Sequence, residues 1–205
     1  MSSSKYGLVC GIALLAGAAP AQGSAGTPCA AIAGVYGSPP SAREAAEVRR
    51  FVHAVARREG VDPYALEAIG MVETGLRPAI GAACELGAFQ IMPSWSETFQ
   101  LASPAYFYDL RVGAVAAARV YKHGLERWRP RYAGLAKHRC LRGAGLSARK
   151  LERLVFGAAT YNYGKLPELA NNATTLGATP IPDSTCRYVA RFERELAAAR
   201  ARGPI

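Results

Sequence analysis

Between Glu59 and Tyr64 the chain stops one helix and starts another. Gly60 closes a segment in which Val48, Phe51, Val52 and Val55 recur at helical spacing. Asp62-Pro63 opens the next, an N-cap acceptor followed by a residue whose missing N–H suits the first helical position. The first helix begins at Ser41, with Glu44 at capping-box spacing. The second carries Leu66, Ile69 and Met71 and ends near Thr74-Gly75, since the helix cannot run on into Pro78. Glu73 therefore falls in its last turn. Further along, Gly75, Gly81 and Gly87 punctuate an irregular stretch over 75–92, and a short helix follows Pro93. Val112, Val115, Ala116, Val120 and Tyr121 predict a longer helix over about Leu110–His123. Ser147 caps another that runs to about Asn162, with Leu151, Leu154, Val155 and Ala158 inward. A final helix starts at Ser184, with Val189, Phe192 and Leu196 on one side and arginines on the other. With no convincing strand alternation and no internal repeat, the class is all-α.

The 205 residues suffice for one domain with a substantial core, and neither the 50% apolar share nor the 20% charged share suggests disorder. The N-terminus stands apart. Lys5 precedes an apolar run from Gly7 to Ala19, and Ala19-Pro20-Ala21 is a small-x-small site. That order reads as a signal peptide over 1–21, too short for a comfortable membrane span; an uncleaved anchor is the competing reading. Cys10 lies inside the apolar run, so no lipoprotein is read. Residues 22–40, rich in Gly, Ala, Ser and Pro, form a tail or linker, and 41–205 the folded domain. The expectation is an exported protein, periplasmic or extracellular, with no stable membrane span after cleavage.

Losing Lys5 with residues 1–21 takes the formal charge from +10 to +9. A basic surface concentrates a chain near polyanions, and bacterial envelopes are anionic. Nucleic acid fits the charge equally well, but export and the lack of interleaved aromatic and basic residues argue against it. Export also leaves four cysteines, Cys29, Cys84, Cys140 and Cys186, an even count that favours disulfides over a metal site. Three pairings are possible and spacing does not choose among them. The expectation adopted is Cys140–Cys186, tying a late insertion to the last helix, and Cys29–Cys84, pinning the tail beside the candidate site.

Glu73 is the residue with chemistry in reach. Met71 and Val72 flank it in an apolar helix, and the C-terminal end of a helix disfavours negative charge. Burial likewise favours the neutral carboxyl, the form able to act as a general acid near neutral pH. On this helix alone a solvated surface glutamate is the simpler reading. Carboxyl acid–base chemistry commonly pairs the acid with a second carboxylate. Glu85, Glu97 and Asp109 are the nearest in sequence; Glu85 is simplest as a loop charge and Asp109 as an N-cap.

Three segments decide between these readings: Val72-Glu73-Thr74-Gly75-Leu76-Arg77-Pro78, Leu86-Gly87-Ala88-Phe89-Gln90-Ile91-Met92-Pro93 and Ala159-Thr160-Tyr161-Asn162-Tyr163-Gly164. In this order, over roughly Val48 to Phe192, the chain resembles the soluble lytic transglycosylase family. The resemblance implies a lysozyme-like helical domain with a cleft, acting on peptidoglycan glycan strands with no metal and no organic cofactor. It implies that Glu73 protonates the leaving oxygen, that the substrate's N-acetyl group stabilises the cationic centre, and that the ionised Glu73 then takes a proton from the C6 hydroxyl. The product is a 1,6-anhydro-N-acetylmuramoyl end. It implies that Gln90 lines the cleft, that Tyr161 and Asn162 help place Glu73 and the N-acetyl group, and that Thr74 stands at the family's serine position. A tyrosine of the closing helix, here Tyr188, reaches the site. Met92 lines either core or cleft, while Phe89 and Ile91 are core.

The sequence departs from the family pattern at Cys84-Glu85, at Ala88-Phe89, at Tyr163 and in a basic insertion over 127–150. These changes bear on subsite detail and substrate preference. General wall remodelling and a local gap for a secretion or conjugation apparatus both stay open as roles. A hydrolytic muramidase of the same fold, and a wall-binding scaffold without chemistry, stand as alternatives.

Overall fold

The computed structural model describes residues 29–101, 103–128, 149–162, 164 and 182–204. The signal segment 1–21, the start of the tail, residues 129–148 of the insertion with Cys140 and Ser147, Tyr163, and 165–181 lie outside the described residues. Among the described residues the architecture is six helices and one small sheet: α1 Ala42–Glu59, α2 Pro63–Glu73, α3 Trp95–Thr98, α4 Leu110–Arg127, α5 Arg149–Asn162 and α6 Asp183–Ala201, with β1 Gly34–Val35 and β2 Ala79–Ile80.

Local chemistry sets the helix ends. At α1 the Ser41 hydroxyl accepts from the Glu44 N–H while the Glu44 carboxylate accepts from the Ser41 N–H, a closed capping box. Gly60 ends α1 in the left-handed region at φ 75°. Asp62 caps α2 through the N–H groups of Tyr64 and Ala65, with Pro63 at the first position. Asp109 caps α4 in the same way. The last helix begins at Asp183, one residue before the Ser184 start expected from sequence.

α2 is the centre of the fold. Residues Ala65 to Gly70 and Val72 are all buried, the pattern of a helix covered on every side. α1 and α6 pack against it, α4 packs on α1 and α5, and α5 packs on α6. Leu66, Ile69, Phe89, Phe107, Tyr121 and Phe192 are almost fully buried between these helices, each such side chain stabilising by roughly 1.5–3 kcal/mol relative to exposure. Met71, expected to share the apolar face, is only half-buried, and Val72 takes the inward position. At the periphery, Trp95 stacks on Phe99 at 5.3 Å and both meet His123 edge-on, which fixes α3 to α4.

The Gly/Pro-rich stretch read as tail or linker has structure at its end. A 3-10 turn at Ala30–Ile32 leads into β1, which pairs antiparallel with β2, Val35 opposite Ala79. The strands are two residues long, too short for alternation to show in the sequence. The Cys29–Cys84 disulfide fastens this segment to the loop after β2, as the sequence reading preferred. Cys186, half-buried on α6, is also disulfide-bonded. With 55 residues of separation between Cys29 and Cys84, the double variant Cys29→Ser/Cys84→Ser should lose about 2–4 kcal/mol of stability through its freer unfolded chain. Urea unfolding under oxidising conditions reads this; an unmoved midpoint contradicts it. No helix among the described residues is long and apolar enough to cross a membrane.

Candidate active site

The C-terminus of α2 presents Glu73 at the edge of the core. The chain reverses immediately after it: the N–H groups of Thr74 and Leu76 both return to the Gly70 carbonyl, at 3.1 and 3.0 Å. Gly75 (φ 69°) and Leu76 (φ 60°) sit in the left-handed region, which a bulky residue such as Leu76 rarely adopts. Cys84 (φ 68°) and Gln90 (φ 50°) adopt it too, so the segment that wraps the end of α2 carries much of the backbone strain, a placement typical of functional sites.

That segment is a compact fold-back. Leu86 bridges both Ile80 and Ile91. Gly87 (φ 77°) lies so close to the Phe107 carbonyl that a Cβ there would collide with backbone. Gly81 passes beneath two polar side chains; a Cβ at this position would meet the Glu85 carboxylate and lie 2.6 Å from Gln90 Oε1. Glu85 and Gln90 therefore share one patch of the loop. Glu85 also accepts from the Ala83 N–H at 3.0 Å, and the Gln90 amide donates to the Gly87 carbonyl at 2.9 Å.

Thr74 is buried, and its hydroxyl is fully engaged. It donates to the Ala88 carbonyl at 2.8 Å and accepts from the Arg77 N–H at 3.1 Å. It thereby fixes the 86–92 segment against α2, a positioning contact and not a free hydroxyl for a ligand. Tyr161, near the end of α5, donates to the Phe89 carbonyl at 2.7 Å. One residue on, Asn162 is exposed, and its Oδ1 accepts from the buried Thr185 hydroxyl of α6 at 3.0 Å. That bond orients the amide through its oxygen, so the NH2 group is the donor that remains for other contacts. Met92 is exposed, so it does not belong to the core; Phe89 and Ile91 do. Asp109 is an N-cap, as its position suggested.

Around Glu73 these elements converge. Burial pushes its carboxyl pKa up from 4.5 to about 7; a hydrogen bond from Tyr188 and the Arg191 charge pull it down, and the Glu85 charge raises it further. The residue is half-buried, not sealed in the core. The Tyr188 hydroxyl is buried and lacks a hydrogen bond of regular geometry, yet it stands near enough to Glu73 for each to move the other's titration. Such loose contacts tighten when a substrate fills a site. Burial holds the phenols of Tyr161 and Tyr188 well above their ordinary value, and the neighbouring Glu73 charge adds to it in both. At neutral pH both phenols therefore carry their protons, while Glu73 sits close to its midpoint and is the one able to give a proton up and take it back there.

Two residues that shape this site escaped the sequence reading. Thr185 aims Asn162, and Arg191 donates to the Val72 carbonyl at 2.6 Å. Arg191 is one of several arginines on the polar side of α6, and no spacing rule separates it from the others. Among the described residues no cluster of three His, Cys, Asp or Glu side chains could hold a metal ion. The chain matches no protein-family model, and no curated protein matches it.

Proposed function

We propose that this chain is an exported peptidoglycan lytic transglycosylase of lysozyme-like fold, with Glu73 acting first as acid and then as base. The observation that carries the reading is Glu73 at the end of α2, its carboxyl raised by burial to titrate near pH 7 while the residue is only half-buried. The resemblance of the three segments to the lytic transglycosylases supplies the substrate. Glu73 gives its proton to the glycosidic oxygen as the bond to C1 breaks. The resulting carboxylate removes the C6 hydroxyl proton, O6 bonds to C1, and Glu73 ends protonated as it began. No water is consumed. Asn162, its amide aimed by Thr185, and Gln90 beside Glu85 offer donors and acceptors for acetamido and hydroxyl groups. The basic surface suits the anionic wall.

Digestion of purified sacculi by the mature protein, with mass analysis of the released muropeptides, tests the proposal. The expected products carry 1,6-anhydro ends, lighter than hydrolysis products by one water. One observation favours a second reading. The Glu85 charge acts on Glu73, so a second carboxylate lies within electrostatic reach, as a hydrolytic muramidase requires. Products with reducing ends would establish that reading in place of the first. A protein that binds sacculi and releases nothing would be the scaffold.

A further inference from the structure

We infer that Arg191 is a positioning residue for Glu73, fastening the last turn of α2 from α6 and holding a positive charge beside the acid. This rests on the reading of Glu73 as the reacting group.

The argument begins with the unpaired end of a helix. The last carbonyls of α2 lack intrahelical N–H partners. Gly70 and Met71 recover theirs from Thr74, Gly75 and Leu76 as the chain reverses. The carbonyl of Val72 instead accepts from Arg191 Nη2 at 2.6 Å, across 119 residues of sequence. A cation at a helix C-terminus is electrostatically favoured, and a charged donor makes a stronger bond than a neutral one. Val72 immediately precedes Glu73, so this bond fixes the backbone from which the carboxyl projects. Arg191 also follows Tyr188 by three residues, which puts phenol and guanidinium on one face of α6. Other α6-end arginines serve elsewhere: Arg200 pairs with Asp62 and Arg202 with Glu67.

The groups that face Glu73 are Tyr188 and Arg191 from α6, Tyr161 from α5 and Glu85 from the loop after β2. From α1, His53 and Arg49 engage Glu67. Burial favours the protonated carboxyl, Glu85 reinforces it, and Arg191 opposes both. An acid that must also serve as a base needs that opposition. Without the guanidinium the carboxyl would give up its proton less readily, and the carboxylate formed after the first step would lose a stabilising charge.

The test uses the mature protein with its disulfides intact and 13C-labelled glutamate, the Glu73 signal being assigned by its loss in Glu73→Gln. In Arg191→Gln the Glu73 midpoint should rise by about one pH unit, the low end of what a neighbouring opposite charge supplies. The alkaline limb of sacculus cleavage should move up with it. kcat should fall by about tenfold, KM staying near that of the parent, as expected when charge stabilisation along the reaction is lost. Arg191→Lys, which keeps the charge, should restore most of the midpoint. Arg191→Met keeps the aliphatic stem and serves if the glutamine variant folds poorly. An unchanged midpoint in Arg191→Gln overturns the inference. So does a lysine variant displaced as far as the glutamine one, or a midpoint that moves while the kinetic limb stays. A parent that cleaves nothing defeats the functional reading by itself, while the carboxyl titration still decides whether Arg191 governs Glu73.

Discussion

Glu73→Gln should make the protein more stable at alkaline pH by about 3.5 kcal/mol and, on the proposed function, should abolish muropeptide release from sacculi. The sign follows from the two pKa values. The unfolded chain loses the Glu73 proton near 4.5, whereas the folded chain keeps it until about 7. Between those values the folded state binds more protons, so the parent loses stability as pH rises through that window. The two midpoints lie about 2.5 apart in pH, and at roughly 1.4 kcal/mol per pH unit this comes to about 3.5 kcal/mol. Glutamine has nearly the same shape and no charge to desolvate. Its advantage is therefore absent below pH 4.5, grows up to about 7 and stays level above. Urea unfolding of both proteins at pH 4, 6 and 8 measures it, and equal stabilities at pH 8 would refute it. The loss in rate should be at least about 10² to 10⁴, the contribution of a positioned acid.

The second large effect is purely structural. Glu67 lies inside the fold at 0% exposure, ringed by donors from α1 and from beyond the end of α6. Its Oε1 meets Arg49 Nε at 2.9 Å and Arg202 Nη2 at 2.7 Å, and its Oε2 meets His53 Nε2 at 2.7 Å. The Tyr64 ring packs against His53, the two nearly perpendicular with centroids 5.1 Å apart. Removing the carboxylate leaves these donors facing one another around an apolar gap. Glu67→Ala should therefore cost about 3–5 kcal/mol, as breaking a buried pair does. Glu67→Gln should also destabilise, since it removes the charge that pairs with the Arg49 and Arg202 guanidinium groups. The Arg43–Glu47 pair, 88% and 51% exposed, provides the contrast: Glu47→Ala should change stability by less than about 0.5 kcal/mol. Thermal or urea unfolding ranks the three, and a Glu67→Ala loss no larger than that of Glu47→Ala would refute the account of this cluster.

Helix ends were the most readable part of the sequence because their causes are local. Ser41 with Glu44, Gly60, Asp62-Pro63 and Asp109 each act within four residues, and each does in the fold what its chemistry demands. The all-helical class and the position of Glu73 at the end of α2 follow from the same signals. The two-residue strands did not show, because pairing between β1 and β2 joins segments about 45 residues apart and has no local signature. Glu67 carries no local signal of its burial; its partners Arg49, His53 and Arg202 are brought to it only by tertiary packing. Among the candidate site residues, Glu73, Gln90, Tyr161 and Asn162 stand out in the sequence because they lie inside short motifs. Arg191 and Thr185 act by where α6 lies against α2 and α5, and one sequence contains nothing that specifies that docking. Thr74 was legible in position but not in use, since its hydroxyl turns inward to Ala88.

The central claim is that Glu73 cleaves glycan strands while it holds a proton. The rate of muropeptide release from purified sacculi, followed from pH 5 to pH 9, tests it most directly. The account predicts a rate that falls through a midpoint near pH 7, where Glu73 ionises, and no release at any pH by Glu73→Gln. Cleavage that continues undiminished to pH 9, or that survives in the glutamine variant, would contradict it.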